Sequence, residues 1–305
     1  MPTSTADTAR CWICGAVGRP FRASTIRQQI DPSSVRITDS NYGQTAALSK
    51  CTACGFVFAD PVPHPDELGL YRGMDEQPYQ DTSTARRAQM RLLLDVAAQY
   101  RPHARTLLDI GAGTGLMVSE ARARGLDAHG VEPSRWCVDT AAAINKVDLF
   151  CGTVADVRNR LGHYDIVNLV DVIEHTIEPM QMLREAASLL SATGVLLIVT
   201  PDIGSATARL MRRWWWHHRV AHVGYFDRAS MRRAVHEAGL VLEGDRPATW
   251  RFPASYLAER LVRYVPIVPV STLLNRLARS PRAHHYEIPV NTFDSRVFIA
   301  STGAR

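Results

Sequence analysis

The chain is almost devoid of lysine: Lys50 and Lys146 are its two lysines, and arginine supplies the remainder of its 35 basic residues. It also lacks an apolar run of the ~18 residues that a membrane-spanning helix needs, and its first ten residues lack the apolar segment of a secretory signal. A hydrophobic content of 46% with a formal net charge of +5 excludes an intrinsically disordered chain. We therefore expect a globular protein that resides in the cytoplasm.

Four of the six cysteines form two copies of the pattern Cys-x-x-Cys-Gly, at Cys11, Cys14, Cys51 and Cys54. Two intervening residues let both thiolates reach one tetrahedral Zn²⁺, and the glycine that follows allows a tight turn. We predict a structural zinc site in a ribbon-like module over residues 1–60, with strands at 34–38 and 45–49. The alternatives are two unrelated pairs or a redox motif. Four thiolates leave no open position for a substrate, so we expect no catalysis there. Cys137 and Cys151 are interpreted as ordinary buried residues.

The remainder of the chain alternates short apolar runs with helical patterns. A proline-rich linker is predicted over 61–84 and a second domain over 85–305, which opens with a helix to residue 100. The predicted strands that follow are 106–110, 128–131, 148–151, 164–170, 194–200 and 241–245, and helices are predicted between them. Such alternation predicts a parallel sheet with right-handed crossovers. Ligands of such sheets bind at the carboxyl ends of the strands.

A glycine-rich loop over 111–115 follows the first strand of this second domain. Its glycines let the backbone approach a ligand closely. Leu116 stands where a dinucleotide-binding loop has its third glycine, and the carboxylate of Asp109 disfavours a pyrophosphate. Glu132, nineteen residues after Gly113, ends the second strand and is placed to accept ribose hydroxyls. The set fits a ligand that carries a ribose and an ammonium group but no phosphate.

These segments resemble the sequence motifs of class I S-adenosylmethionine (SAM)-dependent methyltransferases. Leu-Leu-Asp-Ile-Gly-Ala-Gly-Thr-Gly at 107–115 resembles their first motif, and Val-Glu-Pro-Ser at 131–134 the second. Segments 164–175 and 189–201 are similar to those around the fourth and fifth strands. The resemblance covers about residues 85–245. It implies an α/β, Rossmann-like fold with a seven-stranded sheet whose last strand, here 295–301, is antiparallel.

The resemblance also implies which residues contact SAM. Asp109 and the backbone of the glycine loop would hold its methionine end, and Glu132 its ribose. Thr153 stands where the family often has an acidic residue that faces adenine, and Asp156 is a candidate substitute. The predicted cofactor-binding set is Asp109, Gly111, Ala112, Gly113, Thr114, Gly115, Glu132, Thr153, Asp156 and Val170.

Methyl transfer from a sulfonium is an in-line displacement, to which a protein contributes alignment and, for a hydroxyl acceptor, a base. The candidate catalytic residues are Asp171, Glu174, His175 and His222. The two histidines have the chemistry of a base at neutral pH, although each could instead be a structural residue. Segment 201–228, rich in tryptophan, histidine and arginine, is predicted to cover the acceptor together with an insertion over 246–291.

The acceptor is predicted from the combination of a zinc ribbon with a methyltransferase domain. This combination resembles bacterial methyltransferases of sugars, glycolipids and secondary metabolites, and we predict O-methylation of a saccharide or glycolipid hydroxyl. The alternatives are a sugar C-methyltransferase, a quinone or polyketide methyltransferase, a nucleic-acid-binding protein or RNA/DNA methyltransferase, and an inactive scaffold. No nucleic-acid partner is expected, because residues 11–54 carry no basic stripe.

Positive charge is concentrated in residues 201–282, which hold 14 arginines and 6 acidic residues. This excess fits an acceptor that is anionic or lipid-linked. A basic amphipathic pair of helices is predicted within 254–280. It could rest on the inner face of a membrane, cover the acceptor pocket or form a homodimer interface, and these alternatives stay open.

Overall fold

The structure is a computed structural model that describes residues 9–26, 43–63, 83–262 and 268–303. The predicted strand at 34–38 and most of the predicted linker over 61–84 lie outside these residues. No helix in the described ranges is both long enough and apolar enough to cross a membrane.

Three short antiparallel strands form the N-terminal module: β1 (Gly18–Arg22), β2 (Leu48–Cys51) and β3 (Val57–Ala59). The strand predicted over 45–49 begins later, at Leu48. The reason lies in Thr45, which pairs with Thr25: the Thr45 N–H donates to Thr25 Oγ1 at 2.8 Å, and the Thr25 N–H donates to the Thr45 carbonyl at 3.0 Å.

Strands and helices alternate over residues 83–247, as predicted. The strands are β4 (Thr106–Ile110), β5 (Asp127–Glu132), β6 (Phe150–Cys151), β7 (Tyr164–Val170), β8 (Leu190–Pro201), β9 (Gly224–Tyr225), β10 (Val241–Pro247), β11 (Trp250–Pro253), β12 (Glu287–Val290) and β13 (Ser295–Ser301). The helices are α1 (Ser83–Tyr100), α2 (Leu116–Ala123), α3 (Arg135–Thr140), α4 (Val154–Val157), α5 (Pro179–Ser188), α6 (Ala206–Met211), α7 (Arg228–Glu237), α8 (Ala254–Val262), α9 (Val268–Ala278) and α10 (Pro281–His285).

The central sheet has seven strands in the order β6-β5-β4-β7-β8-β13-β10. Strands β4 to β8 pair in parallel, and β13 runs antiparallel to both of its neighbours. The predicted α/β, Rossmann-like sheet with an antiparallel last strand is thereby confirmed. Parallel strands are covered on both faces, which explains why the sequence shows them as continuous apolar runs.

Several element boundaries differ from the prediction. Strand β8 starts at Leu190 rather than at 194, because Leu190 already pairs with Tyr164 of β7. The helix between β5 and β6 is α3 followed by a π-helical turn over Ala141–Asn145, which ends where Lys146 adopts a left-handed conformation.

The insertion over 246–291 leaves and rejoins the sheet at the edge where the parallel strands end, because β10 runs in the same direction as β8 and β13 runs back. It contains the β11–β12 hairpin, which the sequence did not predict, and helices α8 to α10. Pro269 is the second residue of α9. Its missing N–H would have had no intrahelical partner there.

The N-terminal module packs directly on the methyltransferase-like half of the chain. Strand β9 extends its sheet by pairing with β3, so the order is β1-β2-β3-β9. The rings of Phe56 and Phe226 lie 4.7 Å apart, and Phe56 shares one hydrophobic core with Met231 of α7. The division of the chain at residue 60 stays a prediction, but the packing crosses it.

Candidate functional site

The four predicted zinc ligands lie together at the tips of the two Cys-x-x-Cys-Gly turns. The Sγ atoms of Cys11 and Cys54 are 3.6 Å apart, those of Cys14 and Cys51 are 3.5 Å apart, and all four lie within 4.8 Å of one another. A tetrahedral Zn²⁺ with zinc–sulfur bonds of about 2.3 Å places its sulfurs about 3.8 Å apart. The side chains therefore fit a structural zinc ion, while zinc itself stays a prediction.

Backbone geometry explains the glycine of each turn. Gly15 and Gly55 have φ values of 69° and 79°, in the left-handed region that favours glycine. Their N–H groups donate to the carbonyl oxygens of Cys11 and Cys51, at 2.9 and 3.2 Å. The turns thus hold both cysteines of each pair on one side.

The glycine loop lies at the carboxyl end of β4, between the ends of β5 and β7. Gly111, Gly113 and Gly115 all have positive φ, of 73°, 53° and 76°. A Cβ on Gly111 would lie 2.6 Å from Val172 Cγ2 in the segment after β7. Glycine is therefore required at position 111, both by the backbone conformation and by the close approach of that segment.

Asp109 and Glu132 end neighbouring strands and are both buried. Glu132 accepts hydrogen bonds from the N–H groups of Gly113 and Ser134, each at 2.8 Å, so it also ties the glycine loop to β5. Burial, and then the negative charge of Glu132, raise the pKa of Asp109 to about 8. A buried pair of carboxyl groups beside a glycine loop fits a ligand with a cationic group and hydroxyls.

The predicted adenine-side residues form a helix cap. Thr153 caps the N-terminus of α4, and Asp156 Oδ2 accepts hydrogen bonds from the N–H and the Oγ1 of Thr153, both at 2.9 Å. Contacts of either residue with adenine stay predictions. Ala112 and Thr114 are buried within the glycine loop, and Val170 is half-buried at the end of β7.

Asn168 is a site residue that the sequence analysis missed. It lies opposite Asp109 in the register of β4 and β7 and is 1% exposed. Neither its amide oxygen nor its amide nitrogen has a hydrogen-bond partner among the described residues. The sequence feature that could have identified it is the presence of a polar residue inside the apolar run of β7. A buried polar side chain with unused hydrogen-bonding capacity next to Asp109 is a candidate ligand contact.

The predicted catalytic residues gather beside this loop. Glu174 and His175 lie on a 3₁₀ turn after β7, and His222 lies just before β9. The rings of His175 and His222 are 4.7 Å apart and nearly perpendicular, at 85°. Asp171, exposed at the end of β7, has a φ of 53°, which is strained for a residue other than glycine.

Both histidines are held in one tautomer by backbone carbonyls. The Nδ1 of His175 lies 2.8 Å from the Ala221 oxygen, and the Nδ1 of His222 lies 2.9 Å from the His217 oxygen. A carbonyl only accepts, so each Nδ1 carries the hydrogen and each Nε2 keeps its lone pair. Burial, followed by the charge of Arg219, lowers the pKa of His175 to about 4. Burial likewise lowers the pKa of His222. Both rings are therefore neutral at pH 7, and both are weak bases.

Glu174 is 2% exposed, and one of its two carboxyl oxygens has a hydrogen-bond partner. Its Oε2 accepts a hydrogen bond from Thr200 Oγ1 at 3.0 Å, whereas its Oε1 has no partner among the described residues. Burial, and then the charge of Asp171, raise the pKa of Glu174. The carbonyl of Glu174 accepts the Val223 N–H at 2.9 Å, which ties the 3₁₀ turn to the segment that carries His222.

The tryptophan run in the predicted cover segment 201–228 does not form one exposed surface. Trp215 is fully buried, and its Nε1–H donates to Asp294 Oδ2 at 2.7 Å. Trp214 is 64% exposed and lies under the guanidinium of Arg213. Trp215 is thus a core residue, and a covering role for segments 201–228 and 246–291 stays a prediction.

A family model described as a methyltransferase domain matches residues 83–243. The ubiquinone biosynthesis O-methyltransferase of Rhodopseudomonas palustris (strain BisB5) is 32% identical over 100 residues, 31% of this chain and 39% of the relative. That of Caulobacter vibrioides is 34% identical over 113 residues, 35% of this chain and 44% of the relative. The chain therefore matches less than half the length of these relatives.

Among solved structures, magnesium protoporphyrin IX methyltransferase from Synechocystis PCC 6803 with bound SAH is similar at 16% identity. The match covers 77% of this chain and 92% of that chain, with a TM-score of 0.46.

Proposed function

Because the chain belongs to the methyltransferase domain family, we propose that it transfers a methyl group from SAM to a hydroxyl of a small molecule. The observation that carries the proposal is the pair of buried carboxyl groups, Asp109 and Glu132, beside a glycine loop with three positive φ angles. When bound, SAM supplies the electrophilic methyl group. In this proposal Asp109 pairs with the ammonium group of the ligand, and Glu132 accepts from its ribose hydroxyls.

The hydroxyl nature of the acceptor is supported by the histidine pair. A hydroxyl loses its proton as it is methylated, and His175 and His222 each offer a neutral Nε2 with a free lone pair at pH 7. Glu174 lies in the same cluster as the two rings, and Asp171 is close enough to raise the pKa of Glu174. We assign the four residues to the acceptor side of the site.

The finer proposal is a saccharide or glycolipid acceptor. It is supported by the excess of arginine in residues 201–282 and by the position of the 246–291 insertion at the edge where the site lies. A quinone-type phenol is the alternative, favoured by the names of the relatives from Rhodopseudomonas and Caulobacter.

The partners of the protein are also proposals. Helices α8 and α9 lie within 254–280, where Val268 and Leu273 are 73% and 66% exposed near the exposed Arg276. A surface of this kind fits an anionic lipid layer, a second copy of the chain or the acceptor itself. Peripheral membrane contact, a homodimer and a cytoplasmic location therefore stay predictions.

Cofactor binding is tested first, by calorimetric titration of SAM into the full-length protein. We expect a dissociation constant in the micromolar range or below, and at least tenfold weaker binding in Asp109→Asn, equivalent to about 1.4 kcal/mol. The exposed Asp139→Asn on α3 is the matched control and should bind as the wild type does. Absence of SAM binding by the wild type would contradict the proposal.

The acceptor is tested with methyl-labelled SAM and two probes, a lipid-linked saccharide and a polyprenylated catechol. Label on a saccharide hydroxyl supports the finer proposal, and label on the catechol alone supports the quinone alternative. Transfer to added RNA in place of both probes would overturn the assignment to small-molecule hydroxyls.

A further inference from the structure

One carboxylate and two imidazoles converge in the cluster after β7. Glu174, His175 and His222 each offer one ligand atom, and these atoms lie within 4.8 Å of one another. We propose that the three side chains bind a divalent transition-metal cation through nitrogen and oxygen, separate from the four-cysteine site. The metal's contact with an acceptor rests on the proposed function, but the binding site does not.

The two rings have the tautomer of metal-ligating histidines. Such residues donate one ring N–H to a backbone carbonyl or a carboxylate and bind the metal through the other nitrogen. His175 and His222 donate in this way to the Ala221 and His217 oxygens, at 2.8 and 2.9 Å. Two independent backbone carbonyls thus fix both Nε2 lone pairs in the state that ligation requires.

Glu174 gives the second, independent observation. Its Oε2 is held by Thr200 Oγ1, while Oε1 is buried and accepts no hydrogen bond from any described residue. A buried carboxylate oxygen without a donor is unfavourable unless a cation or proton satisfies it. A cation between the three side chains would satisfy it without a further hydrogen bond.

The geometry needs only a small contraction. Ligands 2.0–2.2 Å from an ion lie about 3–3.5 Å apart, so side-chain rotations of ~1 Å would close the set. Two imidazoles and one carboxylate suit Mn²⁺, Fe²⁺, Co²⁺ or Zn²⁺ and leave coordination positions open. An acceptor hydroxyl in an open position would release its proton to solvent water more readily, so neither ring would need to act as the base while its Nε2 binds the metal.

Arg219 is the competing partner. Its positive charge reaches both Glu174 and His175, so it could balance the carboxylate without a metal. It makes no hydrogen bond to Glu174 Oε1. The two arrangements differ in one measurable respect, because the wild-type protein binds a cation at this cluster only in the first.

The test is a titration of Mn²⁺ into the full-length protein, followed by the electron paramagnetic resonance signal of the free ion. Mn²⁺ prefers nitrogen and oxygen ligands to thiolates, so the four-cysteine site does not compete. We expect one Mn²⁺ per chain, and at least tenfold weaker binding in both Glu174→Gln and His222→Asn. The exposed His236→Asn on α7 is the matched control and should bind as the wild type does.

Circular dichroism and SAM titration of the same variants separate the outcomes. Glu174→Gln keeps the shape of the buried side chain and should stay folded, so its loss of Mn²⁺ binding with SAM binding intact supports the site. If the wild-type protein binds no Mn²⁺, Arg219 balances the carboxylate and the proposed metal site is overturned. Equal binding in all variants is adventitious binding and overturns it as well. Neither result touches the proposed methyl transfer, which fails only if SAM does not bind.

Discussion

At the scale of single residues, the ionisation of Asp109 should be visible in cofactor binding. Its pKa is raised to about 8 by burial and by Glu132, so the free protein holds it protonated at pH 6, whereas pairing with an ammonium group requires the carboxylate. SAM affinity should therefore rise by close to tenfold between pH 6 and pH 7. Both pH values lie below the usual pKa of an α-amino group, so the ammonium group of SAM stays charged. Calorimetry at both pH values, with Asp109→Asn as the variant that flattens the profile, measures the effect. An equal affinity at both values in the wild type would refute it.

Site residues could be predicted from the sequence where a short stretch of sequence identifies them. Asp109 and Glu132 could be found because strand ends and glycine loops are local patterns, and the four cysteines because their spacing is. Asn168 escaped notice because its importance comes from the neighbouring strand, which sets it opposite Asp109. The tautomers of His175 and His222 depend on carbonyl groups that only the folded chain brings to them.

At the scale of elements, the two-residue strand β9 couples the zinc module to the acceptor side. Val223 connects them: its carbonyl accepts the Ala59 N–H at 2.8 Å, and its N–H donates to Glu174. Removal of the predicted zinc ion from the four cysteines, by a chelator or in Cys14→Ser, should loosen β3 and thereby speed amide hydrogen exchange over 223–225. Exchange over 195–199 in the middle of β8 serves as the control and should not change. Unaltered exchange over 223–225 would show that the module does not support β9.

The strands that could be predicted from the sequence are those buried on both faces of the sheet. Strands β4, β5, β7 and β8 are covered on both faces, so their apolar runs were legible in the sequence. Strand β9 was not, because it is two residues long and its partner in β3 lies more than 160 residues away. The β11–β12 hairpin was missed for a related reason: both of its strands contain proline, which disguises a strand whose pairing is set by tertiary contacts.

At the scale of the whole molecule, the N-terminal module and the seven-stranded sheet should unfold together, since they share one core. Phe56 is fully buried, and its ring lies 4.7 Å from Phe226 and 5.9 Å from Phe58. Phe56→Ala should lower the free energy of unfolding by about 3–5 kcal/mol. Phe21→Ala, in the same module but 44% exposed, should cost much less. Urea unfolding followed by tryptophan fluorescence and by far-ultraviolet circular dichroism should give coincident transitions. Two separate transitions, with Phe56→Ala shifting only the first, would mean that the module folds independently.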